Sequence, residues 1–241
     1  MIKLLFKTTL FVLLFCSVTS ISKAQIGYDY AQYDIGFGGV ANKVYGDAET
    51  VKTTPGAFVN FTYNHTPFVN YVVEFQAGKL EGGHPLSTSG RYFKNIYKSL
   101  VFRAQLQAGE LIDYSNSVIL NGFKNLYISS GFGYVINDIR EVNRQSPVFE
   151  DFYTFGEDKT SELYIPVRLG YEFKIFNRYN EPQFRVDVAY TFNTAFGQGL
   201  DGYINPYSKA SLKFYNYVSV GVKYCFGSTR NYRKDVGYSP F

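Results

Sequence analysis

Along most of this chain apolar and polar residues alternate one by one. The sharpest case is 215–226, YNYVSVGVKYCF, where Val218, Val220, Val222, Tyr224 and Phe226 share one parity. Ser219, Gly221, Lys223 and Cys225 hold the other. A period of two is the signature of a strand with different surroundings on its two faces. A strand buried on both sides would be apolar throughout.

The same alternation recurs over 32–40, 56–64, 69–79, 98–108, 124–136, 162–174 and 183–193. With 215–226 this predicts about eight strands of roughly ten residues, the length a tilted membrane strand needs. The turn His65-Thr66-Pro67-Phe68 between the second and third runs predicts a tight hairpin. Pro166 falls inside the sixth run and cannot donate to a ladder, so a bulge or a missing bond is expected there.

The expected connections alternate in length. Those at 41–55, 80–97, 137–161 and 194–211 are long, and those at 65–68 and 175–182 are short. The gap at 109–123 is intermediate. Long loops on one side and short turns on the other is the asymmetry of an outer-membrane barrel. The fold class expected is all-β: a single antiparallel up-and-down transmembrane β-barrel of about eight strands. An even number of strands lets such a ribbon close, and closure leaves no unpaired edge in lipid.

Residues 1–24 do not share the pattern. Lys3 and Lys7 precede or enter an apolar run, Leu10 to Cys16, and Ser22 and Ala24 supply the small residues before a cleavage point at Gln25. This predicts a cleaved signal peptide, 1–24, followed by a barrel over 25–227. Phe15 before Cys16 speaks against a lipoprotein site. Phe226 is read as the barrel's end, with 228–241 as a short basic, aromatic periplasmic extension. No later run reaches the roughly 18–20 apolar residues of a membrane helix.

Composition refines this picture. The 241 residues include 23 Tyr, 23 Phe and 22 Gly but no Trp, suiting aromatic strands joined by tight turns. The formal charge of +4 falls to about +1 without Lys3, Lys7 and Lys23 of the signal, so no electrostatic case exists for a nucleic-acid partner. Once Cys16 is cleaved away Cys225 is alone, which excludes an intrachain disulfide.

If the apolar parity faces lipid, the other parity lines the lumen. It carries Asp34, Glu74, Arg103, Arg168, Glu172, Lys174, Arg185, Asp187 and Lys223. Four acids face five bases in a barrel whose interior is only wide enough for side chains. Unpaired charges there would be costly, so the near-balance predicts an ion-pair plug. The rival readings are a gated conduit or a proton path.

Catalytic chemistry finds little support. His65 and His84 fall at opposite ends of the expected barrel, so they cannot cooperate. His84 with Ser87 or Ser89 and Glu81 has the composition of a loop triad but no further signal. The residues form no metal-ligand pattern, phosphate loop or dinucleotide fingerprint. No catalytic, cofactor-binding or metal residues are assigned, and the chain is read as not an enzyme. Tyr63, Phe68, Tyr71, Tyr134, Tyr171, Phe173, Phe192, Tyr224 and Phe226 are expected in interfacial girdles. Phe152, Tyr153, Phe155, Tyr203 and Tyr207 are loop aromatics able to meet a ligand or partner.

Several stretches carry a resemblance: IGFGGVANKVYGD, PGAFVNFTYNHTPFVNYVVEFQAGKLEGG, RYFKNIYKSLVFRAQLQAGEL, VAYTFNTAFGQGLDGY and YVSVGVKYCFG. Over about 26–227 the layout resembles the OmpA-like outer-membrane barrel superfamily, and its details are similar to the PorG-like barrels of Bacteroidota. The resemblance implies integral residence in the outer membrane of a Gram-negative bacterium. It transfers no functional residues. The function expected is a structural or accessory component of the envelope or of a secretion or surface assembly. Its partners would be outer-membrane lipids and envelope or secretion-system proteins. Two alternatives remain: a small-solute pore or lipid-modifying enzyme in the same barrel, or a soluble periplasmic ligand-binding barrel. The last would place its apolar residues inside, opposite to the parity assigned here.

Overall fold

The computed structural model describes residues 27–46, 48–87, 90–114, 117–145, 153–204 and 212–233. The proposed signal peptide, Phe152 and Tyr207 lie outside them. The alternating runs become eight antiparallel strands: β1 Gly27–Tyr45, β2 Thr53–Asn64, β3 Val69–Gly83, β4 Tyr92–Gln107, β5 Leu126–Val142, β6 Lys159–Phe176, β7 Pro182–Phe196 and β8 Leu212–Arg233. Each pairs with its sequence neighbour, and β8 returns to β1 to close the ring. Closure satisfies every strand edge internally, which an open sheet of this composition could not do.

The parity assignment holds around the ring. In β4 the burial alternates residue by residue from Phe93 to Gln107, with Tyr97, Ser99, Val101, Arg103 and Gln105 inside and Leu100 and Phe102 outside. In β8 Val218, Val220, Val222, Tyr224 and Phe226 are exposed, while Ser219, Lys223 and Cys225 are buried. Glycine makes room where the lumen is tightest. A Cβ at Gly38 would lie 2.3 Å from the Val220 carbonyl oxygen and 2.6 Å from the Phe58 ring, so glycine here lets Phe58 lie across the lumen.

The strands are longer than the alternation alone marks, and pairing invades the expected loops. β3 and β4 pair out to Gly83 and Tyr92, and β5 reaches Val142. Hydrophobic parity fades there because the outer face turns polar at Lys79 and Lys94 while Leu80 and Phe93 stay buried inside, and the ladder continues because backbone groups still need partners. At Pro166 the expected gap is present. The β5–β6 register runs to Ser130↔Val167 and resumes at Gly133↔Tyr164, whereas on the β7 side Pro166 opposes Asn193 in an unbroken register. The Ser130 hydroxyl donates to the Pro166 carbonyl at 2.9 Å.

Two differences concern the end of the barrel that carries both chain ends. β8 does not stop at Phe226. After a bulge between Ala31 and Tyr33, residues Thr229 to Arg233 pair with Ala31 to Gly27. The boundary at 227 therefore moves to 233 as far as pairing goes. The reason is that β1 begins before its apolar alternation does, and its early residues offer a ladder. The 109–123 connection is also more than a loop. It folds into two short helices, α1 Ala108–Leu111 and α2 Val118–Phe123, with Ser117 Oγ accepting from the Leu120 amide at 3.3 Å as the N-cap of α2.

Candidate functional site: the charged lumen

Eight of the nine predicted interior charges are buried, and Lys174 is half-buried. The buried eight join one continuous chain of contacts that crosses the lumen. Glu74 on β3 accepts from both terminal guanidinium nitrogens of Arg103 on β4, at 3.0 and 2.8 Å. This is the bidentate fork geometry in which arginine binds carboxylates most strongly. Arg168 on β6 lies 3.7 Å from the same carboxylate and donates to Asp187 at 2.8 Å. Its Nε donates to the Tyr127 hydroxyl at 2.8 Å, which in turn donates to Asp187 at 2.7 Å.

Lys223 continues the chain. Its ammonium lies 3.7 Å from Asp187 and donates to Glu172. Glu172 accepts further bonds from Gln105 at 3.1 Å and Gln107 at 2.7 Å. Arg185 bridges Glu172 at 3.5 Å and Asp34 at 3.2 Å, and Asn64 donates to Asp34 at 3.1 Å. At Glu172 and at Asp34 Oδ1, neutral amides thus take up carboxylate lone pairs beside the cations, which offsets part of the cost of burying the charges.

Lys174 is linked to this chain through Gln107. It donates to the Pro67 carbonyl at 3.0 Å and to Gln107 at 2.9 Å, with its ammonium 4.8 Å from the centre of the Phe68 ring. Phe68 is fully buried and meets Tyr114 and Tyr232 edge-on. It therefore closes the lumen mouth beside the chain ends and does not belong to the outer girdle expected for it. The turn folds inward, carrying the ring with it.

The opposite half of the lumen is closed by different chemistry. Tyr97, Tyr164 and Tyr215 pack together, with centroids 6.3 Å apart for Tyr97 and Tyr215 and 5.7 Å for Tyr164 and Tyr215. Val135, Phe93, Leu200 and Tyr203 belong to the same buried cluster. Leu200 and Tyr203 come from the described part of the β7–β8 connection, 197–204, which folds over the mouth. Tyr203 is not a free loop aromatic: its hydroxyl lies 3.1 and 2.8 Å from the Tyr92 and Asn143 carbonyls, to which it donates. Burial pushes its phenol up to about 12. Tyr153 and Phe155 are exposed.

Three buried charges escaped the sequence reading. Lys213 and Asp201 pair at 2.6 Å, and Glu162 accepts from the Gly199 amide. Glu162 and Lys213 carry the inward parity of their strands, a signal that was present. Asp201 sits in a loop where no periodicity can mark it. With these, among the described residues, six buried acids (Asp34, Glu74, Glu162, Glu172, Asp187, Asp201) face five buried bases (Arg103, Arg168, Arg185, Lys213, Lys223), with the half-buried Lys174 at one mouth.

The loop triad does not assemble. The His84 Nδ1 accepts from the Leu86 amide at 3.1 Å, and the Ser87 hydroxyl donates to the His84 carbonyl. Ser89 lies outside the described residues. Among the described residues no group of three or more His, Cys, Asp or Glu could hold a metal ion.

The outer wall is an apolar belt with an aromatic girdle near the chain ends. Rings pass from Tyr71 through Tyr63, Tyr33, Phe226 and Tyr224 to Phe184, with successive centroids 6.4, 5.8, 5.9, 6.5 and 5.4 Å apart. Tyr171 and Phe173 pair at 4.6 Å farther round.

No protein-family model matches the chain, and no curated protein does. Among solved structures, Neisserial surface protein A is 11% identical, with 81% of this chain and 98% of that one covered at a TM-score of 0.46. Ail, the attachment invasion locus protein of Yersinia pestis, is 15% identical, covering 82% and 99% at a TM-score of 0.43. The outer membrane protein OprG from Pseudomonas aeruginosa is 13% identical, covering 84% and 99% at 0.37. These likenesses are too distant to indicate a function, which has to come from the chain's own geometry.

Proposed function

We propose that this protein is an integral outer-membrane β-barrel whose lumen is closed by its own side chains. It would serve as a structural or accessory component of the envelope or of a secretion or surface assembly. The observation that carries this reading is the inversion of the usual globular arrangement. The exterior is a belt of Val, Leu, Ile, Phe and Tyr, while eleven charges of the described residues are buried inside. Only a solvent of hydrocarbon makes that arrangement favourable, because in water the belt would be a large exposed apolar patch. A soluble ligand-binding barrel would need the opposite parity.

The closed lumen supports an accessory role over a pore. Phe68 blocks one mouth, Leu200 and Tyr203 the other, and the ion-pair chain spans the space between. Work on a partner then falls to the surfaces outside the membrane, where Tyr153 and Phe155 are exposed. The similarity of the sequence stretches to PorG-like barrels favours a secretion-system partner in a Bacteroidota envelope. Among the described residues no base–nucleophile pair supports lipid-modifying chemistry.

Detergent fractionation with heat-modifiable gel migration tests the membrane reading, and recovery in the soluble fraction would end it. Single-channel recording tests the plug: a steady open conductance would contradict it. Affinity purification from crosslinked envelopes tests the accessory role, with the tail after Arg233 removed in a parallel sample. Recovery of the barrel with lipid alone would favour a purely structural role.

A further inference from the structure

The connection between β4 and β5 carries a feature that the plugged-barrel reading does not use. Residues 117–123, SVILNGF, contain no charge. In α2 the side chains of Val118 and Ile119 are 88% and 71% exposed, and Leu120 and Phe123 are exposed as well. A segment this apolar would ordinarily turn its side chains onto its own fold. Here they point away from it.

The segment is nevertheless held in one place. The Tyr171 hydroxyl, on the outer face of β6, donates to the Gly122 carbonyl at 2.7 Å. The Gly109 amide donates to the Lys124 carbonyl at 2.8 Å, and the Glu172 amide to the Asn125 carbonyl at 3.2 Å. The Tyr171 bond ties α2 to the outer face of β6, and the other two hold the residues that follow it. Tyr171 also packs on Phe173 in the girdle, so the segment lies at the height where the barrel surface passes from hydrocarbon to headgroups.

We infer that α2 is a membrane foot: Val118, Ile119 and Phe123 insert into the leaflet on the side of the chain ends. The inference rests on the membrane-barrel reading. Continuity decides the occupant, because the exposed apolar face adjoins the lipid-facing belt through Tyr171. An uncharged apolar face in that position is what an interfacial helix presents to a bilayer. The foot would fix the barrel's depth and its rotation about β5 and β6, complementing the girdle.

The absence of tryptophan from the chain makes the test direct. Ile119→Trp and Phe123→Trp each introduce a single reporter, with Phe37→Trp as a belt control and Phe155→Trp as an aqueous control. Each protein is reconstituted in phosphatidylcholine vesicles with and without brominated acyl chains, and folding is checked by heat-modifiable migration. The expected result is that brominated lipid lowers emission at 119 or 123 by about twofold or more, as at 37. If 37 is quenched while both 119 and 123 respond no more than 155, the foot is refuted and the barrel reading stands. That outcome would leave the face to a protein partner. If 37 itself is unquenched, the barrel reading fails first.

Discussion

The two halves of the lumen solve the same problem by opposite means. Toward the long loops the interior is filled mainly by Tyr97, Tyr164, Tyr215, Val135 and Leu200, which exclude water by bulk beside the Lys213–Asp201 pair and Glu162. Toward the chain ends it is filled by charges that cancel in a chain from Arg103 to Asp34. The aromatic half gains from removing apolar surface from water, and each ring adds its share nearly independently. The charged half gains little net energy from its pairs, because desolvation offsets most of the attraction. Its members depend on one another. The difference teaches that the aromatic half should erode under mutation, whereas the charged half should fail when one partner is removed.

The largest expected effect breaks the charged half. Glu74→Ala strands Arg103 and leaves Asp187 as the one acid beside Arg168, which should cost about 3–5 kcal/mol. A urea titration followed by gel migration would read this as a large drop in the unfolding midpoint. Removing both partners of the fork, as Glu74→Leu with Arg103→Leu, should restore much of the loss, since a buried pair replaced by apolar groups is often neutral. A double variant as unstable as the single one would show that the pair itself stabilises the fold.

Next comes the wall between the two solvents. Val220→Arg should cost about 2–4 kcal/mol if Val220 sits near the bilayer midplane. Ser219→Ala, one residue away but inward, loses only a long hydroxyl contact of 3.4 Å to the Ala189 carbonyl. Equal folding yields in vesicles for the two variants would undo the facing assignment.

Smaller still is a test inside the aromatic half. The Tyr97 hydroxyl accepts from Gln76 at 2.7 Å and donates to Asn42 at 3.1 Å. Tyr97→Phe keeps the packing and orphans those amides, so a loss of about 1–3 kcal/mol is expected. A larger loss than for Glu74→Ala would reverse the contrast between the halves. Smallest should be Lys94→Ala, which removes a solvent-exposed pair with Glu141 at 2.7 Å. Water and salt screen such a pair, so the unfolding midpoint should stay where it is.

The period of two made strand number, order and facing legible in the sequence, because a membrane strand separates two unlike surroundings along its whole length. The nine interior charges followed from the same parity. Strand ends were not legible: beyond the apolar belt the outer face turns polar, so no alternation marks where pairing stops. That is why β8 passes Phe226 unannounced. The pairings of Glu172 with Lys223 and Arg185 with Asp34 were equally hidden, since strand tilt and ring closure decide which inward residues meet. Phe68 and Tyr203 were misplaced because a loop's direction has no periodic signature. The helices of the β4–β5 connection were missed because α1 and α2 are each too short for an amphipathic period to appear.

The seam where β8 meets β1 has a consequence for the order of events in the cell. Its paired residues come from opposite ends of the chain, and Asn231 reaches across it to Asp29 over a sequence separation of 202 residues. Every other seam can form between neighbours as soon as both are delivered. This one must wait for the final strand. Until then β1 keeps a bare edge, and loss of the last strand would leave that edge permanently open.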